Sequence, residues 1–389
     1  MKQRKIAILG STGSIGTQAL DIVSRHPDRF DITALTAHRP TDKLFEQVRT
    51  HRPNMVGITS GEVPVPEDLR FCEWRFGQGA LEKIAGQADC DDVLVSVVGM
   101  VGLAGVLAAR KAGRRVLLAN KEALVAGGRL VMDACPPDEE NPALIPIDSE
   151  HSAIYQCLLA AKGNAFERIL LTASGGPFRL WMADQLREAG PEDALKHPNW
   201  QMGQKITIDS ASMFNKALEM IEARWLFGAR PEQVEVLVHP QSIVHSMVAF
   251  RDGAVLAQMG VPDMRSPIAF AVAYPGRIEN GSAPLRLDQV GTLQFEQPDE
   301  TRFPATRLAR EAMMAGGAAC CVLNAANEEA AVAFLQRKIR FPDITLVVQR
   351  ALDAVGHLRA DSLEEVLEAD RAAREVAHRT ILAKQTEVK

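Results

Sequence analysis

Through the first 148 residues, short apolar runs alternate with stretches of helical periodicity. Lys5–Leu9, Asp31–Ala37, Met55–Thr59, Asp92–Val98, Arg115–Ala119 and Ala143–Ile147 are mostly continuous in apolar character rather than alternating. That is the pattern of strands covered on both faces. Helical segments such as Thr17–Arg25 and Leu103–Ala112 separate them, so the order predicts a parallel sheet flanked by helices. From 149 to about 275 the character changes. Ile169–Gly176 is an apolar run ending in glycines, and a helix is expected from about Met213 to Leu226. Val234–Val238, Ser242–Phe250 and Ala254–Met259 read as antiparallel strands, the last two joined at Asp252-Gly253. Residues 276–310 are richer in Pro and Gly, with little periodicity, and read as a linker. The remainder, 311–389, is helical, with a capping-box sequence at Ser362-Leu-Glu-Glu365.

In a parallel sheet, ligands gather beyond the carboxyl ends of the strands. Those ends here read Gly10-Ser11, His38-Arg39, Gly99-Met100, Asn120-Lys121-Glu122 and Asp148-Ser149-Glu150. The first belongs to Gly10-Ser-Thr-Gly13-Ser-Ile-Gly16, glycines three apart between a strand and a helix. Such a turn lets a pyrophosphate approach the backbone and meet the positive end of the helix dipole. Taken alone the spacing fits either a nucleotide site or a plain Gly/Ser turn. In this position it favours a dinucleotide and makes the N-terminal sheet Rossmann-like. The second strand ends in His38-Arg39, where NAD binders usually carry an acidic residue for the ribose hydroxyls. A guanidinium fork there suits a 2′-phosphate and favours NADPH.

The 389 residues allow two or three domains. A net charge of -5 gives no footprint for nucleic acid or an anionic membrane surface. Six cysteines (72, 90, 135, 157, 320 and 321) show neither a C-x-x-C pair nor a zinc-like spacing with His. Scattered thiols, and no apolar run of spanning length, predict a reduced, cytoplasmic protein.

Chemistry concentrates after residue 147. Asp148 and Glu150 close a predicted strand, and in extended geometry residues i and i+2 face one side. Two hard oxygen donors suit Mg2+ or Mn2+; a polar strand end has the same appearance. A third carboxylate could come from the helix carrying Asn215, Lys216 and Glu219, with Asp209 or Ser210 as its expected cap and Glu222 as a competing ligand. Ser210, Asn215 and Lys216 compose a phosphate cradle, or simply an amphipathic helix. Thr172-Ala-Ser174-Gly-Gly176 is an anion-binding turn or a plain one. His197-Pro-Asn-Trp200-Gln-Met202-Gly203 lies in a loop, about 194–204, of the kind that closes over substrates.

In this order, the strings from Gly10 to Gly16, 119–122, 147–151, 172–178, 197–200 and 215–219 resemble the 1-deoxy-D-xylulose 5-phosphate reductoisomerase family, over nearly the whole chain. The resemblance implies an NADPH- and metal-dependent homodimer acting on a phosphorylated sugar in non-mevalonate isoprenoid precursor synthesis. It assigns 1–148 to the cofactor, 149–275 to catalysis and 311–389 to a C-terminal helical domain. Asp148, Glu150 and Glu219 would hold the metal, with Ser149 on the substrate. Ser174, Ser210, Asn215 and Lys216 would surround the phosphate, and His197, Trp200 and Met202 would form the lid. Gly10, Thr12, Gly13, Ser14 and Ile15 would hold the cofactor phosphates, with Asn120, Lys121 and Glu122 near its nicotinamide half. The family often carries a Gly-Lys-Asn run where Ala37-His38-Arg39-Pro40 stands here, so the 2′-phosphate contacts need not match. Two competing readings are an NADP-dependent oxidative decarboxylase and a non-catalytic NADP sensor. The first would call for Arg at a substrate carboxylate; the second would leave the carboxylates without a purpose.

Overall fold

In the computed structural model, which describes residues 3–136, 138, 140–200 and 202–388, the Cα trace divides into two compact units. The first holds the chain up to Ala123, Val131–Ser152 and Asp263–Ala283. Its strands are β1 (Arg4–Leu9), β2 (Phe30–Ala37), β3 (Met55–Ile58), β4 (Glu73–Phe76), β5 (Asp92–Val95), β6 (Arg115–Leu118) and β7 (Leu144–Pro146). They form one sheet in the order β4-β3-β2-β1-β5-β6-β7, parallel throughout. Between them lie α1 (Ser14–Arg25), α2 (Asp42–His51), α3 (Ala80–Gln87) and α4 (Val101–Lys111); α5 (Lys121–Ala134) and, after β7, α6 (Ser149–Ala161) start in this unit, with Leu124–Leu130 and the chain from Ala153 counted in the second. Ile6 to Leu9 and Val93 to Val95 are wholly buried, as two-sided coverage requires. Strand order reverses between β1 and β5, which opens a crevice at their carboxyl ends.

Several expected boundaries move. The edge strand β4, Glu-Trp-Arg-Phe, has no apolar run to announce it because its side chains are exposed or half-buried. The expected strand to Val98 stops at Val95, where Ser96 Oγ turns back to donate to Leu9 O at 2.9 Å. Helix α1 starts at Ser14 rather than Thr17, with Gly13 at its N-cap. Asp148 does not close a strand in extended geometry. β7 ends at Pro146, and Ser149 and Glu150 already lie in α6. The two carboxylates are therefore related by a helix start, not by a pleat.

The second unit holds Leu124–Leu130, Ala153–Pro262 and Pro284–Lys389. Its four-stranded sheet runs β11-β10-β8-β9, with β8 Phe166–Ala173, β9 Val234–Val238, β10 Val244–Phe250 and β11 Val255–Met259. β10 is antiparallel to both neighbours, but β9 runs parallel to β8. The expectation of an antiparallel β9 thus fails. Chain leaving β8 returns through several helices, a crossover that delivers β9 in the same direction. Within the expected linker, Glu296 pairs with Val238 in an isolated antiparallel bridge. Four helices follow: Ala305–Ala315, Ala319–Leu335, Asp343–Val355 and Leu363–Val388. Ser362 Oγ accepts from Glu365 N at 3.2 Å, while the Glu365 carboxylate reaches Asp361 N instead of Ser362 N. No helix among the described residues is long and apolar enough to cross a membrane.

The glycine turn is sterically closed. A Cβ on Gly16 would sit 2.5 Å from Gly10 O and 2.6 Å from Ser11 Cα, whereas one on Gly13 would meet nothing nearer than 3.4 Å. Gly16→Ala should therefore lose about 1–3 kcal/mol, the range for overpacking a close contact. A fall in urea midpoint for Gly16→Ala, beside a near-unchanged Gly13→Ala, checks this; equal midpoints would contradict it.

Candidate functional site

In the first unit, Gly10 turns the chain at φ +91, and its N–H donates to Thr36 O and Thr36 Oγ1 at 3.2 and 3.0 Å. Helix α1 then opens with no side-chain cap and no acidic residue in its first turn. Thr12, Gly13, Ser14 and Ile15 are half-buried or exposed there. An uncapped helix start with a positive dipole end fits a phosphate group. Beyond β2, His38 and Arg39 are exposed, and His38 Nδ1 lies 2.9 Å from Thr59 Oγ1. A cation that sequence reasoning missed stands at the turn: Lys43 Nζ donates to Thr12 O at 2.9 Å. The signal was available, because Thr41 caps α2 and so puts Lys43 in its first turn.

At the carboxyl end of β6, Asn120 caps α5 by accepting from Ala123 N at 3.0 Å. Its amide donates to Val97 O, Gly99 O and Glu122 Oε2 at 3.0, 3.1 and 2.6 Å. Asn120 therefore ties two strand-end loops together and orients Glu122. Lys121 pairs with Asp148. Asp148 Oδ1 in turn accepts from the backbone of Glu150 and His151 at 3.1 and 3.3 Å, capping α6. The wholly buried His151 ring places Nδ1 3.1 Å from the same oxygen. Burial alone would raise the Asp148 carboxyl. The Lys121 ammonium, then the His151 ring, outweigh burial and hold it well below the usual carboxylate range. Beside it, Ser149 Oγ donates to Glu150 Oε2 at 2.6 Å.

In the second unit, the turn after β8 carries Ser174. Gly175 and Gly176 follow at φ +83 and +66, and a Cβ on Gly176 would lie 2.7 Å from Ser210 O. The Ser174 turn is thus seated on the end of the helix Gln204–Ala211. This corrects the expected cap. Asp209 and Ser210 belong to that helix, not to the start of the next one, Phe214–Phe227. Met213, at φ 64, makes the break, and no side chain caps the second helix. Asp209 is instead buried on Lys205 Nζ and Asn327 Nδ2, at 2.6 and 2.8 Å. In the following turns Asn215 Nδ2 donates to Glu219 Oε1 at 2.5 Å, and Lys216 pairs with Glu219 Oε2. Lys216 and Glu219 have side chains only 4% and 1% exposed. Asn215 Oδ1 is left buried without a partner, an acceptor suited to a ligand hydroxyl. Glu222 is also buried, while Arg224 donates to Met313 O and Arg230 pairs with Glu232.

The loop after residue 194 is organised by His197. Its Nδ1 accepts from Asn199 N and Trp200 N at 3.2 and 2.9 Å, so the ring is neutral with its proton on Nε2. Nε2–H then donates to Ser174 Oγ at 3.1 Å. Asn199 Nδ2 anchors the loop to Pro240 O and Ser242 Oγ at 2.6 and 2.9 Å. The Trp200 ring lies 6.3 Å from that of His245. His245, which the sequence marks as a strand residue, is therefore also a seat for the loop. Met202 is half-buried, and Gln201 lies outside the described residues.

The sequence model of 1-deoxy-D-xylulose 5-phosphate reductoisomerase matches residues 6–128. Models of the C-terminal domains of these enzymes match residues 144–227 and 259–376. A relative of that name from Cupriavidus pinatubonensis is 53% identical over 382 residues, covering 96% of each chain. The chain belongs to the 1-deoxy-D-xylulose 5-phosphate reductoisomerase family. The family's enzyme from Zymomonas mobilis, solved in complex with NADPH, superposes with a TM-score of 0.89 at 41% identity, covering 98% of this chain and 99% of its own. A DOX-P reductoisomerase solved with NADPH, fosmidomycin and magnesium is 40% identical, also at 0.89, covering 97% of this chain and 98% of its own. The α/β class with a parallel N-terminal sheet and a helical C-terminal region is thus the reductoisomerase fold.

Burial pushes the His197 imidazole down to about 4 from 6.5. A depressed His means that the unfolded or open loop binds the proton more readily. The loop's contacts are then fully present above pH 6.5 and weaken as the pH falls toward 4. Trp200 fluorescence should report this opening, and His197→Gln should remove the transition. An identical transition in the variant would assign it to another group.

Proposed function

We propose that this chain binds NADPH and a divalent cation, Mg2+ or Mn2+, and converts 1-deoxy-D-xylulose 5-phosphate to 2-C-methyl-D-erythritol 4-phosphate in non-mevalonate isoprenoid precursor synthesis. The observation that carries this reading is the match to the reductoisomerase family along nearly the whole chain. The donor chemistry agrees. Asp148, Glu150 and Glu219 offer hard carboxylate oxygens, Asp148 is held ionised by Lys121, and Glu219 is paired with Lys216. When bound, the cation polarises the substrate ketone and a neighbouring hydroxyl as a Lewis acid.

The chain's own residues divide the remaining tasks. We assign the cofactor phosphates to the turn from Gly10 to Ile15, the 2′-phosphate to His38 and Arg39, and the nicotinamide half to Asn120, Lys121 and Glu122. Ser149 contacts the substrate. Ser174, Ser210, Asn215 and Lys216 surround the phosphate, whose binding energy orients the distant reacting carbons. His197, Trp200 and Met202 close over the substrate and keep water from a reactive intermediate. His197 does so through the Nε2–H that the loop backbone fixes. Residues 1–148 are the cofactor domain, 149–275 the catalytic domain, 276–310 the linker and 311–389 the helical domain. We also propose a homodimer, supported by the uncovered edge of β11 with Val255 and Leu256 exposed. A cytoplasmic location fits six buried, unpaired cysteines.

The test follows NADPH absorbance with the substrate and Mg2+ or Mn2+, with and without excess chelator. Metal-dependent oxidation is expected, and its absence would end this reading. Glu219→Gln should lower kcat by roughly a thousandfold, as loss of a group acting only in the transition state does. NADPH binding should persist in that variant at a temperature where its circular dichroism shows it folded, and loss of binding by the folded variant would contradict the role.

A further inference from the structure

All the groups assigned above in the first unit lie at the carboxyl ends of the seven-stranded sheet. At the opposite ends of β1, β5, β6 and β7 there is a second cavity, of about 520 Å³. Four guanidinium groups line it: Arg4 from the start of β1, Arg110 from the end of α4, and Arg114 and Arg115 at the start of β6. Three carboxylates share its wall: Asp91, Asp92 and Asp138.

These charges are not mutually satisfied. Asp92 is buried and occupied, with Arg115 Nη2 at 2.7 Å and Arg4 Nε at 3.7 Å. Asp91 accepts from Lys5 N at 2.8 Å, and Asp138 Oδ1 accepts from Glu140 N and Asn141 N at 3.0 and 2.9 Å. The other arginine contacts run to backbone oxygens. Arg110 donates to Ala134 O and Arg114 O at 2.9 and 2.6 Å, Arg4 to Val272 O and Tyr274 O at 3.1 and 3.0 Å, and Arg114 to Ala88 O at 3.3 Å. Carbonyls hold a guanidinium in place without cancelling its charge. Donors remain in excess: Nε of Arg114 and Nε of Arg115 are buried with no partner. Arg115 is committed to Asp92, but Arg4 Nη2, Arg110 Nη2 and Arg114 Nη1 take no part in these contacts, and a tetrahedral dianion can accept from several such donors at once. The cavity also falls within the range of small-molecule sites and is far larger than a bare ion needs.

We propose that this cavity is a binding site for a small phosphate-bearing organic anion, separate from the substrate and cofactor phosphates. It gives the protein a second phosphate-reading surface at the far end of the sheet that carries the cofactor turn.

The experiment is calorimetric titration of inorganic phosphate, and in parallel citrate, into protein saturated with NADPH and 2-C-methyl-D-erythritol 4-phosphate, a complex that cannot turn over. One phosphate-binding event should persist. It should weaken roughly tenfold or more in Arg114→Gln, the loss expected for one charge-assisted hydrogen bond. It should weaken likewise in Asn141→Glu, which adds a carboxylate at an exposed rim position and leaves every arginine in place, so folding is not at issue. Turnover should be unchanged in that variant. If the product failed to saturate, two phosphate events would appear, and only one should respond to these substitutions. No event sensitive to either substitution would overturn the proposal, as would citrate binding as tightly as phosphate. The catalytic reading is tested by turnover alone, so the two fail separately.

Discussion

The Asp148 carboxylate is the constraint on which the first unit's candidate chemistry depends. One oxygen atom caps α6 through two backbone N–H groups and lies against the buried His151 ring, while the other meets Lys121 from the start of α5. A neutral acid in that place would leave Lys121 without its counter-charge and would weaken the cap on α6. The geometry that sets the directions of Ser149 and Glu150 is therefore the geometry that keeps the carboxylate ionised. Asn120 performs the analogous task one strand over, binding the loops beyond β5 and β6 into one surface.

The second unit reaches the same end by a different physical route. Its turn at Ser174 needs two glycines because both take left-handed backbone angles, and at Gly176 the helix Gln204–Ala211 also comes too close for any side chain. The neutral His197 ring then bridges that turn to its own loop with both nitrogens in use. Order in this loop rests on a small network of hydrogen bonds centred on His197 and Asn199. Such segments sit at the low-stability end of a protein and can open without disturbing the core.

Much of the first unit was legible in the chain because two-sided burial leaves continuous apolar runs, and the glycine turn leaves a spacing. β4 was not legible, since an edge strand with half-solvated side chains carries no such run. The helical start at Ser149 was hidden because Asp148 acts as a cap, and D-S-E after an apolar run reads equally well as a strand end. The direction of β9 and the break at Met213 are tertiary facts: a crossover sets one, and a left-handed non-glycine residue sets the other. Lys43 and His245 were missed for a simpler reason. Each sits on an ordinary element, and what brings it to the site is the fold around it.

The Lys216–Glu219 pair has an evolutionary consequence. Both side chains are nearly inaccessible, one turn apart on a helix, and each neutralises the other. Removing one partner of a buried pair typically costs about 3–5 kcal/mol, because the other charge is left stranded. A change at either position alone therefore carries a stability cost in addition to any effect on chemistry, so the two residues are held together as a pair. Substitution is cheaper in the loop around Trp200, whose residues are exposed or half-buried and where a replacement strands no charge.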